Sequence, residues 1–181
     1  MKNITIRAAT IEDAAEIANV HINSWREAYK GLLPQDFLDK RPLYFKNRYE
    51  LWKRVTADEN QVTFVAQSND NGVVGFINGT NARDADFKDY CEVWSFYLLQ
   101  DYHKQGIGYN LLYTYFLEHK VKGYSKAYLW VLDKNPTIKF YERTGAKLGE
   151  QVKHVDIAGI KSKELCYVWD SHNFEKIILA L

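Results

Sequence analysis

Apolar runs at strand spacing alternate along the chain with apolar stripes at helical spacing, which predicts a mixed α/β fold. Seven runs rich in β-branched and aromatic residues predict strands. They are residues 4–6, 61–67, 73–78, 93–99, 127–131, 147–155 and 165–169. Helical stripes lie between them, at residues 14–29, 43–55, 107–116, 135–143 and 174–181. Because a strand needs partners and a helix needs a sheet to cover its apolar stripe, this pattern predicts one sheet flanked by helices.

Turn and cap signals separate these elements. Thr10–Asp13 has the spacing of a capping box before the first helix, and Gly31 and Pro34 follow its predicted end near Tyr29. Asn69-Asp70-Asn71-Gly72 is typical of a hairpin between two strands. Ala158-Gly159 marks a second turn, between the last two strands. Since no linker, repeat or low-complexity tract interrupts the pattern, residues 1–181 are predicted to form a single domain.

Composition excludes several classes of function. The 181 residues carry 24 Lys and Arg against 23 Asp and Glu, so no basic surface for nucleic acid is indicated. Cys91 and Cys166 lack metal-ligand spacing, which predicts no metal site and reduced thiols in a cytoplasmic protein. No apolar run resembles a signal core or a membrane span. The 13 Tyr and five Trp therefore indicate core and pocket walls rather than base-stacking platforms.

One segment, residues 92–115, combines a predicted strand, a glycine-containing turn and a helix. The turn is His103-Lys104-Gln105-Gly106-Ile107-Gly108, and its glycines permit a tight backbone path. The helix that follows begins with unpaired backbone N–H groups, which favour an anion such as a diphosphate. The segment therefore predicts a phosphate-binding cofactor site.

This turn resembles the pyrophosphate loop of the GNAT (GCN5-related N-acetyltransferase) superfamily, Gln/Arg-x-x-Gly-x-Gly/Ala, with His103 in place of Gln or Arg. A second family signature, an Asn followed by Phe-Tyr-x-x-x-Gly-Phe, is matched by Asn135 and by residues 140–145, with Ala146 in place of the final Phe. Residues 24–34 resemble a segment of bacterial small-molecule-type members. The resemblance implies the GNAT fold, a twisted mixed sheet of about seven strands flanked by helices.

The resemblance further implies that acetyl-CoA lies along the strand of the 92–115 segment. Its pantetheine would pair with the backbone of Phe96, Tyr97 and Leu98, and Phe140 would line the same path. The amides of Lys104, Gln105, Gly106, Ile107 and Gly108 would hold the diphosphate. His103 is either a further phosphate donor or a residue at the mouth of the loop. Asn135 is either a cofactor ligand or the N-cap of its helix.

Two residues are candidates for proton transfer. Tyr141 matches the family Tyr that protonates the departing thiolate, and packing against the cofactor is its alternative role. Glu92 is the candidate general base, since strand alternation would place it on one face with Trp94 and Phe96, where its pKa would rise. An ion pair on the sheet edge is the alternative for Glu92, with ordered water as the base.

Trp25, Tyr29 and Trp94 are the candidate walls of the acceptor pocket, although the sequence alone favours core packing for Trp25. His21 is predicted to be structural, and Cys91 is a weak candidate nucleophile because direct transfer needs no covalent intermediate. A primary amine of a small molecule or peptide is the expected acceptor. A protein amine, or no substrate at all in a CoA-binding sensor, are the alternatives. The final strands or residues 177–179 could support a homodimer.

Overall fold

The computed structural model describes residues 3–180 of the chain. The strands are β1 (Ile4–Ala8), β2 (Val62–Ser68), β3 (Gly72–Asn81), β4 (Cys91–Leu98), β5 (Ala127–Leu132), β6 (Lys147–Ile157) and β7 (Ile160–Trp169). The helices are α1 (Ala14–Ala28), α2 (Gln35–Asp39), α3 (Phe45–Ala57), α4 (Ile107–Val121), α5 (Ile138–Arg143) and α6 (Ser171–Ile178). The predicted mixed α/β fold with seven strands is therefore confirmed.

The seven strands form one sheet in the order β1-β2-β3-β4-β5-β7-β6. Every neighbouring pair of strands is antiparallel except β4 and β5. These two strands run parallel, and α4 connects them. The two predicted hairpin turns are present, with Gly72 at a φ of 65° and Gly159 at 80°. Such positive values are easy for glycine because it has no Cβ.

Helices cover both faces of the sheet. On one face, Ile17 and Ala18 of α1 and Trp52 of α3 pack on Val65 and Phe76 of β2 and β3. On the other face, α4 and α6 pack against the alternate strand residues. Their buried apolar side chains include Leu111, Leu112, Phe116, Phe174 and Ile177. The apolar stripes read from the sequence therefore do face the sheet.

Several helical segments differ from the sequence prediction. The short helix α2 was not predicted, because its five residues bury only Leu38 and show no periodicity. α3 begins and ends two residues later than residues 43–55, after a 3-10 turn at Arg41–Tyr44. α6 spans Ser171–Ile178 rather than residues 174–181, and Leu181 lies outside the described residues.

β4, the central strand of the sheet, contains a β-bulge that interrupts its regular pairing with β3. Along β3, Gly79 pairs with Val93 while the adjacent Asn78 pairs with Ser95, so Trp94 is an extra residue without a partner on β3. Beyond the bulge, β4 also separates from its other neighbour. It pairs with β5 only from Cys91 to Val93, although it continues to Leu98. The two parallel strands therefore diverge and open a cleft between them. Among residues 3–180, no helix combines the length and apolar character needed to cross a membrane.

Candidate active site

The cleft between the diverging halves of β4 and β5 has a volume of about 460 Å³. Most of the residues predicted to form the site line it, together with residues from α1 and α5. The lining includes Ser24, Trp25, Tyr29, Trp94, Phe96, Tyr97, Leu98, His103, Trp130, Asn135, Tyr141 and Glu164. His103 of the predicted pyrophosphate loop therefore lines the same cavity as Asn135 and Tyr141 of the second signature.

At one end of the cleft, the loop before α4 presents backbone donors. Lys104 and Gly106 adopt left-handed φ values of 60° and 79°, which turns the chain sharply ahead of Ile107. Among residues 3–180, the amides of residues 104–109 have no hydrogen-bond acceptor. Consecutive unpaired amides at a helix N-terminus suit a diphosphate, so the predicted anion site has the required donors.

The His103 side chain closes this loop onto β4. Its Nε2 lies 2.9 Å from the carbonyl oxygen of Leu98, and since a carbonyl can only accept, Nε2 is the donor. His103 therefore has a structural role in tying the loop to the strand, and with Nε2 as the donor the neutral ring leaves Nδ1 as an acceptor, which does not suit a phosphate.

The β4 side chains beyond the bulge point alternately to the two faces of the sheet. Phe96 packs against the rings of Phe140 and Tyr141, with centroid separations of 5.6 and 6.4 Å. Tyr97 points the other way, toward α1, where its hydroxyl accepts a hydrogen bond of 3.0 Å from Nε1 of Trp25. The Trp25 ring in turn lies 4.4 Å from that of Tyr29, so these two residues of the predicted acceptor wall form one aromatic surface.

Tyr141 brings a free phenol to the cleft. The residue is 6% exposed, and no group among residues 3–180 hydrogen-bonds to its hydroxyl. Burial, reinforced by the nearby Tyr97, raises the pKa of the Tyr141 hydroxyl well above its ordinary value. The phenol therefore stays protonated and able to donate.

Asn135 is buried on the cleft wall but is not a helix N-cap. Its Oδ1 accepts hydrogen bonds from the backbone N–H of Thr137 at 2.9 Å and from the Thr137 hydroxyl at 2.5 Å. This bonding makes a local turn that ends at Thr137, and α5 begins only at Ile138. The prediction of a helix starting at Asn135 was therefore wrong, because the side chain stabilises a turn ahead of the helix.

Glu92 is 1% exposed, and its carboxylate is hydrogen-bonded to neighbouring residues. Its carboxylate accepts from Nη2 of Arg83 at 2.5 Å, from Nε of Arg83 at 3.0 Å and from the Tyr128 hydroxyl at 2.8 Å. The expectation that it shares a face with Phe96 was wrong. Val93 and Phe96 both pack into the cluster beneath α4, so the bulge at Trp94 reverses the alternation and leaves Glu92 on the opposite face. Sequence alternation could not reveal this, because the bulge adds one residue.

A second cavity of about 410 Å³ adjoins the cleft on the Glu92 side. Both cavities are lined by Val93, Trp94, Trp130 and Glu164, so they meet at these residues. The guanidinium carbon of Arg83 lies 4.2 Å from the Trp94 ring centroid, and Nζ of Lys153 lies 4.0 Å from that of Trp130.

The other two candidates take structural roles. His21 is buried and accepts a hydrogen bond of 3.2 Å from Nε1 of Trp52, and burial lowers its pKa to about 3. Cys91 is fully buried under α4, and burial raises the pKa of its thiol. A nucleophilic thiol needs the opposite shift, so Cys91 is not placed as a nucleophile. No cluster of three or more His, Cys, Asp or Glu suited to a metal occurs among residues 3–180.

Comparison with known proteins identifies the family. Residues 22–146 match the family model described as the acetyltransferase (GNAT) family, which is more than half of the chain. The chain is a GNAT acetyltransferase.

Relatives of this GNAT acetyltransferase agree with that assignment. An uncharacterized N-acetyltransferase from Bacillus subtilis, YuaI, is 32% identical over 180 residues, covering 97% of this chain and 98% of the relative. Among solved structures, the PaiA N-acetyltransferase of Thermoplasma acidophilum in complex with coenzyme A is similar with a TM-score of 0.69 and 23% identity, covering 90% and 98% of the two chains. An acetyltransferase of the GNAT family from Streptococcus pneumoniae has a TM-score of 0.65 at 19% identity, covering 92% and 98%.

This GNAT acetyltransferase is thus an N-acetyltransferase that uses acetyl-CoA. The chain's own residues fit that cofactor. The unpaired amides of residues 104–109 suit a diphosphate, and the open edge of β4 beyond Val93 offers backbone groups to an extended chain. The signal that sequence reasoning missed is Glu164, which lies on β7 in neither family signature and reaches the cleft only because β7 pairs with β5.

Proposed function

We propose that this N-acetyltransferase acetylates a primary amine of a small molecule or peptide by direct attack in a ternary complex. One observation carries the proposal. A single cleft is lined by the free phenol of Tyr141, by the aromatic surface formed by Trp25 and Tyr29, and by His103, which directly precedes the unpaired amides of residues 104–109. Direct transfer requires groups that bind the cofactor, an acid that protonates the leaving thiolate and a surface that binds the acceptor.

The cofactor contacts follow from the open donors. Amides of Lys104 to Gly108 hold the diphosphate, and the backbone from Phe96 to Leu98 pairs with the pantetheine. Phe140 and Asn135 line the cofactor path on the α5 side, with Phe140 in contact with Phe96. His103 keeps the loop against β4 through its hydrogen bond to the Leu98 carbonyl. Acetyl-CoA supplies the activated acyl group as a thioester.

Tyr141 acts as the general acid. Thiolate departure needs a proton, and a buried phenol with a raised pKa holds its proton until a stronger base appears nearby. Trp25, Tyr29 and Trp94 form the acceptor walls, because all three line the cleft and none belongs to the loop before α4. Glu92 as general base stays a prediction, and its pairing with Arg83 supports a positioning role instead.

The experiment that tests this function combines calorimetry with a turnover assay. The purified chain is titrated with acetyl-CoA and with CoA, and thiol release is then measured against a panel of small amines and short peptides. Binding followed by thiol release with one class of amine is the expected result. Binding without any turnover would favour a CoA-binding sensor or a protein substrate. A folded chain that binds neither ligand would contradict the cofactor contacts.

The homodimer and the cytoplasmic location predicted from the sequence stay predictions. An exposed edge on β6, with Leu148 and Val152 at 59% and 44% exposure, is the surface on which a second copy would be sought.

A further inference from the structure

Glu164 is a glutamate at the boundary between the cleft and the second cavity. It lies on β7, in register with Leu132 of β5 on one side and Lys153 of β6 on the other. It lines both the cleft and the adjoining cavity, as Trp94 and Trp130 also do. Its side chain therefore stands where an acceptor would pass from one cavity to the other.

The neighbouring charges are already paired with one another. Arg83 forms an ion pair with Glu92 at 2.5 Å, and Nζ of Lys153 contacts both carboxylate oxygens of Asp84 at 2.9 and 3.0 Å. Glu164 has no hydrogen bond and no ion pair within residues 3–180. Two cations thus face three carboxylates in this cavity, and the unbalanced negative charge belongs to Glu164.

We propose that Glu164 is the residue that binds the acceptor amine and accepts its proton, and that the acceptor is a cationic amine without a nearby carboxylate. This inference rests on the proposed function and gives it a substrate class. The carboxylate attracts the ammonium, while Trp94 and Trp130, whose rings already carry Arg83 and Lys153, line the cavity around it. A substrate carboxylate would instead meet the excess negative charge.

The proton balance is complete with the groups at hand. An ammonium first loses one proton to solvent, and the neutral nitrogen then attacks the thioester carbonyl carbon. As the C–N bond forms, the nitrogen gives one proton to Glu164. The C–S bond breaks with its electron pair on sulfur, and that sulfur takes a proton from the Tyr141 hydroxyl. Exchange with solvent returns Glu164 and Tyr141 to their starting states.

The surroundings also tune Glu164 for this task. Burial raises the pKa of its carboxyl, against the opposing attraction of Lys153 and Arg83. A base with a pKa moved toward neutrality accepts a proton more readily at physiological pH. The charged and titratable groups that line the two cavities with it are Arg83 and Asp84 before β4, Glu92 and Tyr97 on β4, Lys153 on β6, Glu27 and Tyr29 at the end of α1, His103 before α4, and Tyr141 on α5.

The test compares Glu164→Gln with Glu164→Asp and Glu92→Gln in the thiol-release assay across pH. Glu164→Gln should lower turnover by about 100-fold and remove the acidic limb of the kcat/KM profile, with acetyl-CoA affinity within about 3-fold by calorimetry. Glu164→Asp should keep the acidic limb. Glu92→Gln should instead give a pH-independent drop together with a lower Tm, because it breaks the pairing with Arg83.

Substrate class is tested with the wild-type enzyme and a matched pair of acceptors, 1,3-diaminopropane and β-alanine, which differ in one terminal group. The diamine should have the higher kcat/KM, and Glu164→Gln should reduce the difference. Equal or better use of β-alanine would overturn the class. Glu164→Gln within about 3-fold of wild type with an intact acidic limb would overturn the base. If the wild type binds acetyl-CoA but consumes no amine, the proposed function fails first, and this inference fails with it.

Discussion

Two glutamates at the centre of this enzyme show how surroundings decide the chemistry of a side chain. Glu92 is 1% exposed, accepts hydrogen bonds from Arg83 and Tyr128, and does not line the cleft. Glu164 is less buried and lines the cleft, and its carboxylate has no hydrogen bond or ion pair within residues 3–180, although Lys153 and Arg83 attract its charge. The carboxylate that is not held in an ion pair is therefore the one that can receive an acceptor amine.

Replacing Tyr141 with Phe removes one hydroxyl group and tests whether this residue is the general acid. Tyr141→Phe should lower kcat by about 100-fold with little change in acetyl-CoA affinity, because it removes a proton donor and keeps the ring that packs on Phe96. Tyr109→Phe is the matched control, since Tyr109 does not line the cleft and within residues 3–180 its hydroxyl donates only to the Ile177 carbonyl. Turnover by Tyr141→Phe equal to that of Tyr109→Phe would remove the acid role.

Among elements, the β4 bulge does most to shape the active site, and a glycine makes it possible. Gly79 of β3 faces the bulge, and a Cβ there would clash with the carbonyl oxygen of Glu92 and the hydroxyl of Tyr115. That hydroxyl donates to the same carbonyl at 2.7 Å, so α4 is attached to the bulge through this contact. Only a residue without a side chain lets β3, β4 and α4 approach this closely.

Gly79→Ala should therefore destabilise the fold by about 1–3 kcal/mol, since the clash involves backbone and a buried ring that cannot move aside cheaply. Chemical denaturation followed by fluorescence measures the change. Gly149→Ala is the control on a peripheral strand, where the nearest atom, 3.3 Å away, belongs to the flexible Gln151 side chain. Equal stability of the two variants would mean that the bulge tolerates a methyl group.

The sequence alone predicted the elements well and their junctions less well. Strong periodicity identified all seven strands and α1, α3 and α4, because a buried face needs apolar residues at a fixed spacing. The junction at Asn135 was misread, since a side-chain hydrogen bond to Thr137 leaves no periodic trace. In the site, the loop of residues 103–108 and Tyr141 were found from local motifs. Glu164 was not, because it depends on β7 pairing beside β5, a contact between residues far apart in sequence.

For the molecule as a whole, a buried histidine makes stability depend on pH. His119 is 1% exposed, and neither ring nitrogen has a hydrogen-bond partner within residues 3–180. Burial, with Lys122 nearby, lowers its pKa to about 4. The unfolded chain binds a proton below about pH 6.5 while the folded chain does not, so stability falls as pH drops from 6.5 toward 4. The loss from this residue reaches roughly 3 kcal/mol.

His119→Leu should reduce that acid sensitivity, because it removes the group whose protonation favours unfolding. Unfolding free energies measured at pH 7.5 and pH 4.5 should differ less in His119→Leu than in the wild type. His154→Leu is the control, since His154 is exposed on β6. If His119→Leu keeps the full wild-type pH dependence of stability, that dependence comes from other groups. The buried His21 would be the first of these to examine.

The early separation of β4 from β5 has a consequence for the life of the protein in a cell. Five residues of β4, from Trp94 to Leu98, have no partner on the β5 side, so the sheet is complete only when another chain-like molecule lies there. A ligand that binds only the folded state raises its stability in proportion to the logarithm of ligand concentration. Acetyl-CoA would thus act as a missing strand as well as a reactant. We therefore expect the resistance of this enzyme to proteases to follow the supply of its own acyl donor.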